Sequence, residues 1–403
     1  MRFRYVFGAF ALAYMVASFL RAANAVISAD LMKEIVLNAD QLGLMTSMYY
    51  MSFSLMQLPL GAALDRYGSR TVIPLLMIPT VIGCLIFATA TSFWPLAIGR
   101  TLIGLGTAGG LMGAVKTFGN WIPKSQLATM TSIMVAIGAC GGLLSTSPMA
   151  FFAATYGWRS IFLYSAPIIA GIAILVRVLG HDAANAPTVS RPNTQIFAGF
   201  GVIYANRTFQ RMAPLYFSML GTMLAVQTLW AGPFAFDVAH ASRSDVGTLL
   251  LILGIGAVLG YAASGILADR IGIIQVIIAA QVITLVSLAY FVFVPVAPSP
   301  ILLAVVYGVF GFGASFNVIM LPQVRALFDD AMSGRAATAL NIFGFLGGWI
   351  LQWSMGLVVN AFGKDDAGHY LMQGYQWAFT IPFVIGCISL LIYLPLIRTT
   401  QKG

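Results

Sequence analysis

Acidic side chains are scarce in this sequence: Asp and Glu number 12 in 403 residues against 21 Lys and Arg, and charged residues make up only 8%. A soluble domain carries about a quarter, so a water-exposed globule is excluded. Cys84, Cys140 and Cys387 each sit in an apolar stretch without CxxC or zinc spacing, which excludes a disulfide frame and a metal site. The G-x-x-x-x-G-K-[ST] loop of an ATPase is missing. So are Ser-His-Asp, paired-carboxylate and metal-ligand clusters within the apolar stretches, so neither an enzyme nor a cofactor is expected. The formal charge of +9 could suggest nucleic acid, but Lys and Arg are spread thinly between apolar blocks instead of clustering on one face among stacking aromatics. No nucleic-acid partner is expected.

What the sequence has is apolar length, with 60% hydrophobic residues and a mean hydropathy of +0.91. Runs of about 20 apolar residues bounded by charge, Gly or Pro read as bilayer-spanning helices. Twelve are expected, near residues 5–28, 40–63, 72–91, 95–118, 128–152, 159–179, 212–236, 244–268, 273–294, 299–322, 335–360 and 375–397. The first imitates a signal peptide, with Arg2 and Arg4 ahead of it and "AANA" as a cleavage context. Removing it would leave an odd helix count, so it is kept as a span. With the N-terminus in the cytoplasm, 14 of the 21 basic residues fall inside and 4 outside, a bias that sets orientation under the positive-inside rule. Both termini are then cytoplasmic, and a bacterial inner membrane is the expected location. The longest polar connection divides the chain into an N-terminal six-helix bundle at 1–180, a cytoplasmic linker at 181–211 and a C-terminal six-helix bundle at 212–403.

"GAALDRYGSR" at 61–70 recurs as "GILADRIGII" at 265–274, so Gly61, Asp65, Arg66 and Gly68 match Gly265, Asp269, Arg270 and Gly272 at an offset of 204. A weaker echo pairs Gly138, Gly141 and Gly142 with Gly344, Gly347 and Gly348 at 206. The expectation is an all-α membrane protein whose twelve transmembrane helices form two parallel six-helix pseudo-repeats.

On these motifs the sequence resembles the major facilitator superfamily over essentially its whole length. "QLPLGAALDRYGSR", "GRTLIGLGTAGG", "NWIP" and "GWRSIF" are similar to the branch containing anion:cation symporters and sugar-phosphate permeases. The resemblance implies the major facilitator fold and a gating role for Gly61, Asp65, Arg66, Gly68 and Arg70, with the degenerate copy Gly265, Asp269, Arg270 and Gly272. In it, Asp65 and the loop arginines hold the cytoplasmic side shut in the outward-open state. That branch commonly carries Arg with Asn three residues on in the first helix, as in Arg21 and Asn24. Leu20 stands where those symporters often have Asp and Phe53 where many have Tyr, so their coupling mechanism is not carried over.

Arg21 lies about 10 Å below the outer end of its helix by the 1.5 Å rise, where a buried cation needs an anionic partner or a wet cavity. No Asp or Glu lies mid-span. A substrate anion is the preferred partner; a structural network to carbonyls and Asn24 is the rival. Lys116 fits snorkelling and substrate binding equally. Arg100 resembles the family's fourth-helix arginine and also fits a snorkelling residue at the outer end. "GLGTAG" at 104–109 satisfies G-x-G-x-x-G, but it lies mid-span and reads as close helix packing. Gln57, Gln227, Trp230, Asn317, Asn341, Gln352 and Trp353 are the other polar residues of pore-forming helices, each alone more often packing glue than ligand contact. His181, His240 and His369 fall in loops or at helix ends, which argues against a membrane proton relay.

The expected substrate-binding set is Arg21, Asn24, Lys116, Gln227, Trp230, Asn317, Asn341 and Gln352, with Arg100, Asp30, Glu34 and Asp237 as the coupling set. The expected function is secondary active or facilitative transport of a small organic anion, a carboxylate or phosphate ester, by alternating access. Alternatives are transport of zwitterions such as amino acids or short peptides, and a transporter-like receptor or assembly factor that binds without turnover. The expected partners are the substrate, a proton or counter-ion, and the lipid bilayer, with the chain acting as a monomer.

Overall fold

The structure, a computed structural model, describes residues 2–180, 200–293 and 299–397. In an apolar slab every backbone N–H and C=O must be satisfied within its own segment, and the apolar runs accordingly form helices. Among the described residues twelve follow in order. The first half comprises α1 (Arg2–Ala22, resuming as Asn24–Glu34), α2 (Ala39–Tyr67), α3 (Ser69–Ala88), α4 (Phe93–Thr107, resuming as Gly110–Gly119), α5 (Lys124–Leu144, resuming as Ser147–Tyr156) and α6 (Trp158–Leu179). The second comprises α7 (Arg207–Ala225, a π turn Val226–Trp230, then Ala231–Asp237), α8 (Arg243–Ile271), α9 (Ile273–Phe293), α10 (Pro300–Ala314, a 3₁₀ turn Ser315–Ile319, then Met320–Arg325), α11 (Asp330–Phe362) and α12 (Met372–Tyr393).

Ten of the described helices are long and apolar enough to cross a membrane, or eleven with the α5 pair, which bends by 41°. The remaining helix is α2, whose 29 residues reach about 43 Å at 1.5 Å per residue. Part of the 181–211 segment, with His181, lies outside the described residues; its last turn is a short helix, Phe200–Ala205. Asn206 then caps α7, its side chain accepting from the backbone N–H of Thr208 at 2.9 Å and Phe209 at 3.1 Å.

The internal repeat is written into the packing. Gly68 and Gly272 are the single-residue connections after α2 and α8, with φ of 72° and 102°. That left-handed turn is one a side chain rarely adopts, which explains a glycine at both copies. In α4, a Cβ on Gly104 would lie 2.2 Å from the carbonyl oxygen of Tyr49, and one on Gly106 2.3 Å from that of Leu76. In α10, a Cβ on Gly311 would lie 2.1 Å from the carbonyl oxygen of Leu253, and one on Gly313 3.1 Å from that of Ala280. Tyr49 and Leu253, like Leu76 and Ala280, stand 204 residues apart. "GLGTAG" is therefore a helix-packing element, and its counterpart does the same job in the second half. The α5 and α11 glycines behave alike: Gly141 lets α5 approach the backbone of Met15, and Gly347 lets α11 approach that of Phe217.

The chain forms two compact units, residues 1–23 with 48–198 and residues 24–47 with 199–403. It passes from the first to the second between Ala23 and Asn24, inside the first span.

Candidate functional site

Four helices at equivalent places in the sequence, α1, α4, α7 and α10, are interrupted part-way. An interruption removes partners from backbone carbonyls, and in apolar surroundings something else must meet them. Discontinuous spans of this kind are where transporters build their binding sites.

In the first unit a cation performs this task. Arg100, wholly buried in α4, donates from Nη1 to the Leu20 carbonyl at 2.8 Å and from Nη2 to that of Arg21 at 3.3 Å, where α1 breaks. Its guanidinium lies 5.2 Å from the centroid of the Tyr49 ring, and its Nε–H has no acceptor among the described residues. Arg100 is thus no snorkelling residue; the open carbonyls of α1 hold it inside. Tyr49 is fixed in turn by a 2.7 Å hydrogen bond to the Thr107 hydroxyl, which donates to the Ile103 carbonyl at 2.8 Å. Gln57 crosses to the α4 interruption and donates to the Ala108 carbonyl at 3.2 Å. Arg21 is half-buried, donates to the Ser18 hydroxyl at 3.2 Å and lies within electrostatic range of Tyr49. Lys116, also half-buried, sits in the inner part of α4.

In the second unit neutral groups do the capping. Thr228, in the π turn of α7, donates to the Leu224 carbonyl at 2.6 Å and accepts from Gln352 Nε2 at 3.2 Å. Trp230 Nε1 donates to the backbone carbonyl of Gln352 at 2.9 Å. Asn317, in the 3₁₀ turn of α10, donates to the Ala314 carbonyl at 2.7 Å and toward Met223 Sδ at 3.3 Å. Asn341 accepts from the Tyr216 hydroxyl at 2.8 Å, and Asn24 donates to the Thr46 hydroxyl at 2.9 Å. Gln227 is half-buried inside the π turn. Asn24, Gln227, Trp230, Asn317, Asn341 and Gln352 thus fall in this unit, whereas Arg21 and Lys116 belong to the first.

The expected gating residues lie at the C-terminal ends of α2 and α8. Gly61 and Gly265 are exposed, and a Cβ on either would meet nothing within 4 Å among the described residues. The Asp65 side chain lies outside the described residues. Arg66 is exposed beside the Tyr67 ring, Arg70 donates from Nε to the Arg177 carbonyl at 2.8 Å, and Asp269 and Arg270 are exposed.

Of the expected coupling acids, Asp30 is ion-paired with Arg243, Glu34 is exposed, and Asp237 is buried between Tyr375 and His369. Sequence reasoning missed Tyr49, Thr107, Thr46, Thr228, Tyr216, Tyr375 and the role of His369. It also missed that Asp40 accepts from Trp353 Nε1 at 2.8 Å and that Tyr370 accepts from the backbone N–H of Ala39 at 2.7 Å. Gly104 and Gly106 recur as Gly311 and Gly313 at an offset of 207, a signal in the sequence that could have marked α4 and α10 as equivalent.

Charge separates the units. Residues 1–23 and 48–198 carry eleven basic and two acidic residues, residues 24–47 and 199–403 ten of each, so the entire +9 belongs to the first unit. The acids of the first unit are Asp65, at the inner end of α2, and Asp182.

Comparison with known proteins agrees with this architecture. The sequence pattern of the Major Facilitator Superfamily matches residues 10–239 and 215–403. The chain is 22% identical over 280 residues to the "Probable sulfoacetate transporter SauU" of Cupriavidus necator, covering 66% of this chain and 65% of that protein. It is 24% identical over 264 residues to the hexuronate transporter of Bacillus subtilis, covering 62% and 61%. The matched stretches thus span under two thirds of these relatives' own lengths. In fold, the chain superposes on a crystal structure of the nucleoside transporter NupG with a TM-score of 0.76 at 14% identity, over 97% of this chain and 99% of that one.

Proposed function

Since the chain belongs to the Major Facilitator Superfamily, we propose that it moves a small organic anion across a membrane by alternating access. The observation that carries the reading is the pair of guanidiniums, Arg21 and Arg100, placed where α1 breaks in a unit that holds eleven basic and two acidic residues. A guanidinium in an apolar setting is tolerated where an anion or a wet cavity offsets its desolvation, and its fork matches carboxylate, sulfonate or phosphate oxygens two at a time. The relatives named for sulfoacetate and hexuronate carry substrates of this chemistry.

In this reading Arg21 grips the anion and Arg100 holds the α1 interruption in shape. Gln227, Asn317 and Asn341 are the second unit's own candidates for neutral hydrogen bonds to a solute, and the repeated loops around Asp65 and Asp269 gate the inner side. The positive-inside bias places both termini in the cytoplasm, in a bacterial inner membrane. One chain carries both repeats, so the monomer is the transport unit. The zwitterion alternative loses ground, because two of the acids it would use for an ammonium, Asp30 and Asp237, already have partners.

The test is flux in proteoliposomes, with labelled sulfonates, hydroxycarboxylates, uronates and phosphate esters set against neutral sugars and amino acids. Saturable flux of one anionic class, with neutral solutes excluded, is the expected result. Saturable flux of neutral solutes or amino acids alone, or none of any solute, would overturn the reading.

A further inference from the structure

The connection at 363–371 between α11 and α12 holds two other elements in place. Tyr370 is buried and its hydroxyl accepts from the backbone N–H of Ala39, the first residue of α2. His369, one residue before, reaches the end of α7, where its Nδ1 lies 3.2 Å from Asp237 Oδ1. The other Asp237 oxygen accepts from the Tyr375 hydroxyl at 2.6 Å. The Asp237 side chain is 4% exposed and that of His369 26%, so the imidazole has one edge in water and the other on a buried carboxylate.

The remaining charged and titratable groups around the pair are accounted for. Exposed His240 sets its ring edge-to-face with that of His369, the centroids 5.2 Å apart. Asp365 accepts the His369 backbone N–H at 2.8 Å. Lys364 acts on Asp237 through space and places its ammonium 4.6 Å from the Tyr370 ring. The outer part of α1 and the start of α8, both packed on the end of α7, bring Asp30 and Arg243, paired with each other, together with Lys33, Glu34 and Asp245. Burial raises the Tyr370 hydroxyl above its ordinary pKa, so it stays neutral throughout the imidazole range.

We propose that Asp237 and His369 form a proton-binding site at the end of α7 farthest from the 181–211 connection, and that its protonated form clamps the 363–371 loop. With Nδ1–H directed at Asp237, a proton from water adds to Nε2 and Asp237 keeps its negative charge. The hydrogen bond from a neutral imidazole to the carboxylate becomes an imidazolium–carboxylate pair, with opposite charges on donor and acceptor, which is shorter and stronger. The loop is then held to α7, and through Tyr370 it holds the start of α2. The clamp is present while the imidazole carries its second proton and is lost when that proton leaves. As a coupling site it rests on the transport reading, in which uptake of an external proton would close the outer end; as a proton-dependent clamp it stands without it.

The experiment is hydrogen–deuterium exchange on the full-length protein in nanodiscs at about pH 5.5 and about pH 8, either side of the imidazole range, corrected for intrinsic rates. In the wild type, peptides covering 363–371 and the start of α2 should exchange about tenfold more slowly at the lower pH, the order expected when a hydrogen bond with one charged partner becomes one between opposite charges. His369→Gln, in a partly exposed loop and able to fold even if Asp237→Asn is not, should abolish the difference, and His240→Gln should keep it. A wild type without pH dependence overturns the proposal, as does a dependence that survives His369→Gln or vanishes only with His240→Gln. A protein that shows the clamp yet moves no solute would sink the transport reading and leave the proton site standing.

Discussion

The two units meet one problem, a membrane helix broken part-way, with opposite chemistry. The first sets the Arg100 guanidinium on the carbonyls where α1 breaks; the second sets the Thr228 hydroxyl and the Asn317 amide on carbonyls at the irregular turns of α7 and α10, Gln352 supporting Thr228. A neutral cap is the cheaper solution, because burying a charge without an ionic partner costs several kcal/mol even after relaxation, on the order of the whole stability of a domain. The cation in the first unit therefore calls for a reason beyond capping. The charge division supplies one: ten acids match ten basic residues in the second unit, while eleven basic residues face two acids in the first. Backbone geometry is duplicated between the halves, and electrostatics is not.

The sharpest way to break the comparison is to give the first unit the chemistry of the second. Arg21→Gln keeps hydrogen-bond donors and removes the charge. Uptake of the anion should fall by about 10- to 150-fold, since a hydrogen bond to a charged group contributes about 1.5–3 kcal/mol, and the melting temperature should hold or rise because a desolvated cation is gone. Arg21→Lys should retain part of the affinity, charge without the fork. Normal affinity in Arg21→Gln, measured by uptake across a substrate titration, would remove Arg21 from the site and leave the charge asymmetry without a function.

A second pair of variants tests the part of the comparison in which the units agree. A Cβ on Gly104 or Gly311 would sit 2.2 Å or 2.1 Å from a carbonyl oxygen of the neighbouring helix. Gly104→Ala and Gly311→Ala should each cost about 1–3 kcal/mol by overpacking, and by similar amounts. Thermal unfolding in detergent measures both. A large cost in one and none in the other would mean that the repeat is a sequence echo without a shared packing role.

A smaller effect is expected at Gln352, whose amide supports Thr228 and whose backbone carbonyl receives Trp230. Gln352→Leu removes a neutral donor and leaves the backbone bond in place. The expected loss is about 1 kcal/mol of stability with substrate affinity within a few-fold of normal. If uptake fell as far as in Arg21→Gln, the second unit would be holding substrate as firmly as the first.

These contrasts were legible in the sequence to different depths. Span number, the two halves and the packing role of "GLGTAG" followed from hydropathy and from an offset of 204, because a bilayer forces helices and a repeat forces equivalent contacts. The partners of individual polar residues did not follow. A mid-span side chain must find its partner on another helix, and helix rotation is not written in local sequence. Arg100 looked as much like an interfacial residue as a buried one until the open carbonyls of Leu20 and Arg21 were placed beside it. His369 looked like a loop residue because Asp237, 132 positions away, meets it only through the fold.

The smallest effect is expected at Tyr370, and it separates the two ends of α2. The Tyr370 hydroxyl satisfies the N–H of Ala39, one of the orphan donors at the start of that helix. At the other end, Gly61 is exposed with nothing against it among the described residues. Tyr370→Phe keeps the ring under Lys364 and deletes the acceptor. Ala39 is 1% exposed, so its N–H has little access to water, and the cost should be about 1 kcal/mol. Because burial holds the hydroxyl in its neutral form, a change in that cost between about pH 5.5 and about pH 8 would come from the His369 proton, and the cost should be larger at the lower value, where the clamped loop holds the start of α2. Chemical unfolding at both values checks the point. A cost that stayed the same would show that the Tyr370 bond and the His369 proton are two adjacent fastenings, and the clamp would not reach α2.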